Sequence, residues 1–316
     1  MRINSTTFEI MNEVGSGSFG TVYECKIPEI RGKCAIKIDF PSSLGPKSTV
    51  EGSILSKLGP HPNLPKVYWY GNYSDQSALA MKLYGENLDQ LIQFYSKFSL
   101  KTSVFLGLQL LDVIEHIHSR GFLHRDVKPG NILIYKNRII LIDFGISQPF
   151  VRDGVHIPYN ESRGMAGTPK FASINSLLGV EQSRRDDIES VWYNLVYFVC
   201  GKLPWDETPL LKMHKSKANS ISQMCEDLPT EFCEFIKYAR NLGFTDKPDY
   251  CFLRGLLIKV VCRYGLEMSY EWHKHTSEFR KRHLSVNGVP DTIEDNRYPC
   301  FKDRGIVMYY KKGDKV

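Results

Sequence analysis

The chain has 316 residues, too many for one small core and enough for two lobes or domains. Hydrophobic residues at 42% and charged residues at 24% exclude a disordered chain. A net charge of +6 is too mildly basic to argue for nucleic acid, since a basic face serves acidic or phosphorylated proteins equally well.

Residues 8–40 predict three strands, Phe8–Gly15, Val22–Ile27 and Cys34–Phe40. The first turn reads Val14-Gly15-Ser16-Gly17-Ser18-Phe19-Gly20-Thr21-Val22. Glycines at 15, 17 and 20 permit a tight hairpin whose backbone can approach a phosphate closely. A dinucleotide-binding turn of the same pattern would open a helix, whereas Thr21-Val22-Tyr23 is β-branched and aromatic and predicts a second strand. In Cys34–Ile38, alternation puts Ala35 and Lys37 on one face and Ile36 and Ile38 on the other. The small Ala35 leaves room for a flat adenine ring, and the Lys37 ammonium can reach α- and β-phosphates. Ser48–Leu58 predicts a short helix with Glu51 in its first turns, placed to pair with Lys37, to complement the helix N-terminus, or both. Pro60, Pro62 and Pro65 end it. Strands near Lys66–Tyr70 and Ser77–Lys82 lead into a linker, Lys82-Leu83-Tyr84-Gly85, with Met81 just before it. Backbone groups in such a linker can hydrogen-bond an adenine edge.

From Asn87 the period turns helical, with helices Asn87–Lys97 and Lys101–Ser119. Gly121 ends the second. Between Gly121 and Ser147, the apolar runs Ile132–Ile134 and Ile139–Ile142 predict a buried strand pair, each beside a polar loop that can carry chemistry. Asp126 can accept a hydrogen bond from an attacking hydroxyl, and Lys128 can neutralise a transferred phosphate. Asn131 and Asp143 offer the oxygen ligands that Mg²⁺ demands. Residues 146–170 predict a long polar loop, a length usually tied to function. A turn of helix at Ala172–Leu178 follows, then a largely apolar helix, Arg184–Cys200, whose Asp186 and Asp187 suit ordinary capping. Helices near Glu231–Gly243 and Tyr250–Tyr264 come next, and beyond about His275 the pattern weakens. Phe279–His283 is a short basic run, either a solvated surface or a patch for nuclear import or an acidic partner.

The eight cysteines, Cys25, Cys34, Cys200, Cys225, Cys233, Cys251, Cys262 and Cys300, form no Cys-x-x-Cys pair and no zinc-spaced cluster with His. Most stand in apolar sequence, which predicts reduced, buried thiols. No run approaches the roughly 18 apolar residues of a membrane helix, and no apolar signal region opens the chain. A cytoplasmic or nuclear location is expected.

The order His124-Arg125-Asp126-x-Lys128-x-x-Asn131, then Asp143-Phe144-Gly145, resembles the catalytic and metal loops of eukaryotic protein kinases. Gly167-Thr168-Pro169-Lys170-Phe171-Ala172-Ser173-Ile174-Asn175, the string Leu178–Ser190 and Asp246-Lys247-Pro248-Asp249-Tyr250 are similar to the casein kinase I family in particular. The similarity runs from about Phe8 to His275. It implies an α+β, bilobal protein-kinase fold: a β-rich N-lobe with one main helix over 1–81, a hinge at 82–86, a larger, mostly helical C-lobe over 87–275, and a partly irregular extension at 276–316.

The resemblance also implies ATP and Mg²⁺ as cofactors and transfer to Ser or Thr of acidic or pre-phosphorylated protein substrates. ATP falls to Val14, Gly15, Ser16, Gly17, Ser18, Phe19, Gly20, Thr21, Val22, Ala35, Lys37, Glu51, Leu83 and the gatekeeper Met81. Asp126 and Lys128 become catalytic, Asn131 and Asp143 metal-binding, and Asp187 a buried brace for the catalytic loop. Arg125, Arg163 and Arg184 become a substrate anion site. The segment between Trp205 and Pro229 is shorter than in relatives, where it supplies a basic residue to that site, so Lys212, Lys215 and Lys217 are its candidates here. Gly130 stands where the family usually has Asp, outside the catalytic set. The family generally works without activating loop phosphorylation. A scaffold without chemistry would lack Lys37, Asp126 or Asp143, and all three are present. Relatives act in DNA repair, vesicle traffic and cell-cycle control. No nucleic-acid or membrane partner is expected.

Overall fold

A computed structural model describes residues 8–17, 19–41, 45–267 and 269–273. The N-terminal part is a five-stranded antiparallel sheet of β1 (Glu9–Ser16), β2 (Gly20–Lys26), β3 (Cys34–Asp39), β4 (Val67–Tyr73) and β5 (Gln76–Lys82), in the order β1-β2-β3-β5-β4. Period-2 alternation sorts its side chains. Ile36, Cys25, Ala78 and Ala80 fall on one face and bury themselves with Phe8, Ile27 and Cys34. Ala35 and Lys37 fall on the other, with Ala35 opposite Met81 and Lys37 opposite Leu79. Helix α1 (Lys47–Leu58) packs on β4 and β5.

The remainder is mostly helical. Helices α2 (Leu88–Tyr95) and α3 (Leu100–Ser119) begin on the side-chain caps of Asn87 and Ser99. The two-residue strand β6 (Phe122–Leu123) enters a loop that ends in the β7–β8 hairpin, Ile132–Tyr135 against Arg138–Leu141. Helices α4 (Ile174–Leu177), α5 (Arg184–Cys200), α6 (Leu210–Met224), α7 (Thr230–Asn241) and α8 (Tyr250–Arg263) follow the polar loop. Helix α5 is the centre of this half: Ile188, Val191, Trp192, Tyr193 and Leu195 are all fully buried. A compact unit ends at Ser269 and a second begins at Tyr270. In the second, the rings of Tyr270 and Trp272 stack 4.7 Å apart. The expected extension at 276–316 and its basic run lie outside the described residues.

Two expectations need correction, and one helix is an addition to them. Leu210–Met224 is a helix that the pattern does not announce, because only Met213, Lys217 and Met224 of it are buried. The 146–170 segment is not uniformly irregular. Gln148–Pro149 (β9) pairs with β6, and Val151–Arg152 (β10) pairs with Val155–His156 (β11). Nor are the cysteines mainly buried thiols. Cys225 and Cys233 are joined as a disulfide where the chain turns from α6 into α7, and Cys200, Cys251 and Cys262 are exposed; among the described residues only Cys25 and Cys34 sit in the core.

Candidate active site

Three charged side chains from three distant parts of the sequence meet at one point. Lys37 on β3 donates from Nζ to Glu51 Oε2 of α1 at 2.9 Å and to Asp143 Oδ1 at 3.1 Å. Glu51 is not a helix-terminus partner, and its other oxygen accepts the Phe144 N–H at 3.1 Å. Burial opposes the Lys37 charge, but the two carboxylates more than offset it and raise its pKa. Burial likewise disfavours ionised Asp143, yet Lys37 overrides it and holds that carboxyl below its ordinary range. In Glu51 burial prevails and raises the pKa against Lys37 and the Phe144 N–H.

The β1–β2 hairpin folds beside this cluster. Gly17 N–H closes the turn on the Gly20 carbonyl at 3.0 Å, and Ser16 and Thr21 hydroxyls face each other at 3.4 Å. A Cβ on Gly20 would lie 2.3 Å from the Ile38 carbonyl oxygen of β3, so this glycine is demanded by packing. Gly15 and Gly17 have nothing within 4 Å of where a Cβ would stand. Phe19 carries the Lys47 Nζ 3.2 Å from its ring centroid. Val14 lies at the exposed end of β1, Val22 pairs with Lys37 across β2 and β3, and Ser18 lies outside the described residues. Ala35 and Met81 face each other on neighbouring strands. The Leu83 N–H is already taken by the Lys33 carbonyl at 3.3 Å, and those of Lys82 and Gly85 by Lys66 and Ile134.

The loop after β6 builds the second half of the site. Asp126 Oδ2 lies 2.7 Å from Lys128 Nζ and accepts Asn131 Nδ2 at 3.2 Å, while its Oδ1 accepts the Thr168 N–H at 2.8 Å. Lys128 also donates to Thr168 Oγ1 at 2.8 Å. Gly167, at φ +95°, allows this approach: a Cβ there would meet the Arg125 carbonyl oxygen at 2.5 Å. Arg125 itself sits at φ +73°. It is held by Asp187, which is 2% exposed and accepts the His124 and Arg125 N–H groups, both at 2.8 Å, and His118 Nε2 at 2.9 Å. The His118 Nδ1 meets the Tyr250 hydroxyl at 2.6 Å. Burial alone would raise the Asp187 pKa, but the hydrogen bond and charge of His118, with His124 and the Arg125 N–H, hold it down. The capping reading thus fits Asp186, which accepts the Ser183 N–H, and not Asp187. Asn194 of α5 adds a hydrogen bond to the Val127 carbonyl at 2.9 Å. The sequence names neither His118 nor Asn194 as a loop support, since each reads as part of a buried helix.

The three arginines do not form one pocket of free cations. Arg163 pairs with Glu181 at 2.7 Å. Arg125 donates to Gln148 Oε1 at 2.7 Å, and Gln148 donates onward to Glu181 at 2.8 Å. Arg184 instead donates to the Thr245 carbonyl and lies over the Phe150 ring. Lys217 is fully buried and spends its ammonium on backbone carbonyls, so it cannot meet a substrate anion from there. Lys212 and Lys215 of α6 remain exposed.

The oxygen donors fit a magnesium ion. Asn131 uses its amide nitrogen on Asp126, which leaves its carbonyl oxygen as a ligand, and Asp143 keeps Oδ2 beside the oxygen bound to Lys37. No group of three or more His, Cys, Asp or Glu placed to hold a metal occurs among the described residues. Such sparse provision suits Mg²⁺, which is usually held by one or two carboxylates together with waters and substrate phosphates. No helix among the described residues is long and apolar enough to cross a membrane. The chain matches the family model described as protein kinase domain over residues 8–248, most of its length. A β-rich lobe carrying the Lys37–Glu51 pair and a helical lobe carrying Asp126, Asn131 and Asp143 agree with that match, and the chain belongs to the protein kinase family, enzymes that phosphorylate proteins.

Proposed function

We propose that the chain is a serine/threonine kinase of the casein kinase I kind, transferring the γ-phosphate of ATP to acidic or already phosphorylated protein segments. The observation that carries this reading is the cluster in which Lys128 and Thr168 flank the Asp126 carboxylate. In the proposed mechanism Asp126 orients the substrate hydroxyl and accepts its proton as the oxygen attacks phosphorus and the bond to the leaving diphosphate breaks. Lys128 neutralises charge on the phosphoryl group in flight. Lys37, kept cationic and fixed by Glu51, holds the α- and β-phosphates, and the open side of Gly15 and Gly17 lets backbone approach them. Asn131 and Asp143 would hold Mg²⁺, which would supply charge neutralisation for the phosphates. Adenine would lie against the sheet face that Ala35 and Met81 share and would take its hydrogen bonds from linker groups other than the Lys82, Leu83 and Gly85 N–H groups. The Gln148–Glu181 bridge between Arg125 and Arg163 supplies internally the anion that a loop phosphate would provide, which supports activity without loop phosphorylation.

The test is labelled phosphate transfer from Mg-ATP to casein by phosphatase-treated protein, with Lys37→Met and Asp143→Asn alongside. Transfer to Ser or Thr by the native chain, reduced at least about 100-fold in both variants, is the expected result. Measurable ATP binding with no transfer would overturn the reading. Substrate preference has its own assay. A peptide with phosphoserine three residues before the target is expected to outpace its unphosphorylated twin, because Arg163 is half exposed and can exchange Glu181 for a stronger anion. Equal rates would remove the anion site from the proposal.

A further inference from the structure

Lys217 on α6 is among the largest fully buried side chains of the protein. It makes no ion pair among the described residues. Its Nζ donates to the carbonyls of Pro169 at 2.9 Å, Lys170 at 3.1 Å and Ala172 at 2.5 Å. The ammonium also lies 4.2 Å from the Tyr193 ring centroid and 5.0 Å from that of Trp205. Trp205 Nε1 donates to the same Lys170 carbonyl at 2.8 Å. The charged groups around it are already engaged: Glu189 of α5 with Arg240 of α7 and the Tyr193 hydroxyl, and Asp206 with the Lys170 side chain. Burial pushes the Lys217 pKa down to about 7, with Glu189 opposing. Burying an ammonium without a carboxylate is costly. A hydrophobic residue would fill the space without that cost, so the position calls for what the lysine nitrogen gives, several donors from one atom within reach of three carbonyls.

Those three carbonyls belong to the segment that reaches the centre of the site. Phe171 and Ala172 N–H groups both bond the Thr168 carbonyl at 2.9 Å, and Thr168 in turn contacts Asp126 and Lys128. We propose that Lys217 is a positioning residue for the segment 167–172, gathering its carbonyls so that Thr168 stays on Asp126 and Lys128 beside the site where a protein substrate's hydroxyl must come. Helix α6 thereby sets how well a protein substrate is used, while nucleotide binding rests on other residues. The inference depends on the catalytic reading of Asp126 given above.

The experiment compares peptide kinetics and nucleotide affinity in the full chain carrying Lys217→Met. Peptide kcat/KM is expected to fall about 10- to 100-fold, as when positioning is lost without loss of the reacting groups, with the Kd of a fluorescent ATP analogue within about twofold of the native value. Unchanged peptide kinetics would overturn the proposal. Should the Met protein also lose nucleotide binding, Lys217→Gln, which keeps two donors, decides. Peptide use falling alone sustains the positioning role, and parallel loss of both shows a merely structural lysine. A native chain that binds the analogue but transfers nothing to peptide overturns the catalytic reading and this inference with it.

Discussion

Asp126→Asn is expected to lower turnover by about 10²–10⁴-fold at saturating peptide and ATP while nucleotide affinity stays within about twofold. The side chain keeps its size, so the fold has no reason to change. What changes is the chemistry of two oxygens. Oδ1 receives the Thr168 N–H, and Oδ2 receives Lys128 and Asn131. An amide can satisfy only one of these edges as an acceptor and turns its NH₂ toward a donor at the other. It also has no charge to accept a proton from a hydroxyl. Turnover that survives the substitution would show that the proton leaves by another route, and that the carboxylate serves only to order the loop.

Asp187→Ala is expected to be the most destabilising single change, by about 3–5 kcal/mol, the range for removing one member of a buried charged network. Three donors point at this carboxylate: the N–H groups of His124 and Arg125 and the ring of His118. Removing it strands all of them in a dry interior, where each unsatisfied group costs about 1–3 kcal/mol. Denaturant unfolding reads this as a lowered midpoint with an unchanged slope. A shift below about 1 kcal/mol would show that the network relaxes around the gap. The pH dependence has a definite sign. Because the folded Asp187 pKa is depressed, its contribution is fully present above the ordinary aspartate value near 4. It disappears as the pH falls through the lower folded value. The gap in stability between native and Asp187→Ala proteins is therefore level near neutrality and closes in acid.

Much of this architecture is legible in the sequence where one residue does one job. The Arg184–Cys200 helix emerges with its bounds intact, because Ser183 precedes it, Gly201 ends it in a left-handed conformation and its interior is apolar. The Ile132 and Ile139 runs announce their hairpin because both are short and apolar, with Ile132, Ile139, Ile140 and Leu141 buried and Leu133 and Ile134 half-buried. Where a residue's partner comes from a distant segment, local pattern is silent. Helix α6 carries a lysine on its buried face, which no hydrophobic period registers. Cys225 and Cys233 meet only because two helices turn back at that point. Arg163 reads as a free cation until Glu181 is brought to it across the loop. The meeting of Lys37, Glu51 and Asp143 is legible only as a motif, since nothing local in β3 or α1 points to Asp143, which follows Lys37 by 106 positions.

The glycine hairpin mixes two kinds of constraint that look alike as letters. Gly20 is fixed by its own neighbour strand, whereas Gly15 and Gly17 border empty space and are constrained only by what the loop approaches. In a descendant that abandoned nucleotide, the first two positions would be free to drift and the third would stay glycine. A surviving Gly20 is thus a record of the sheet, and the state of Gly15 and Gly17 a record of the trade the protein follows.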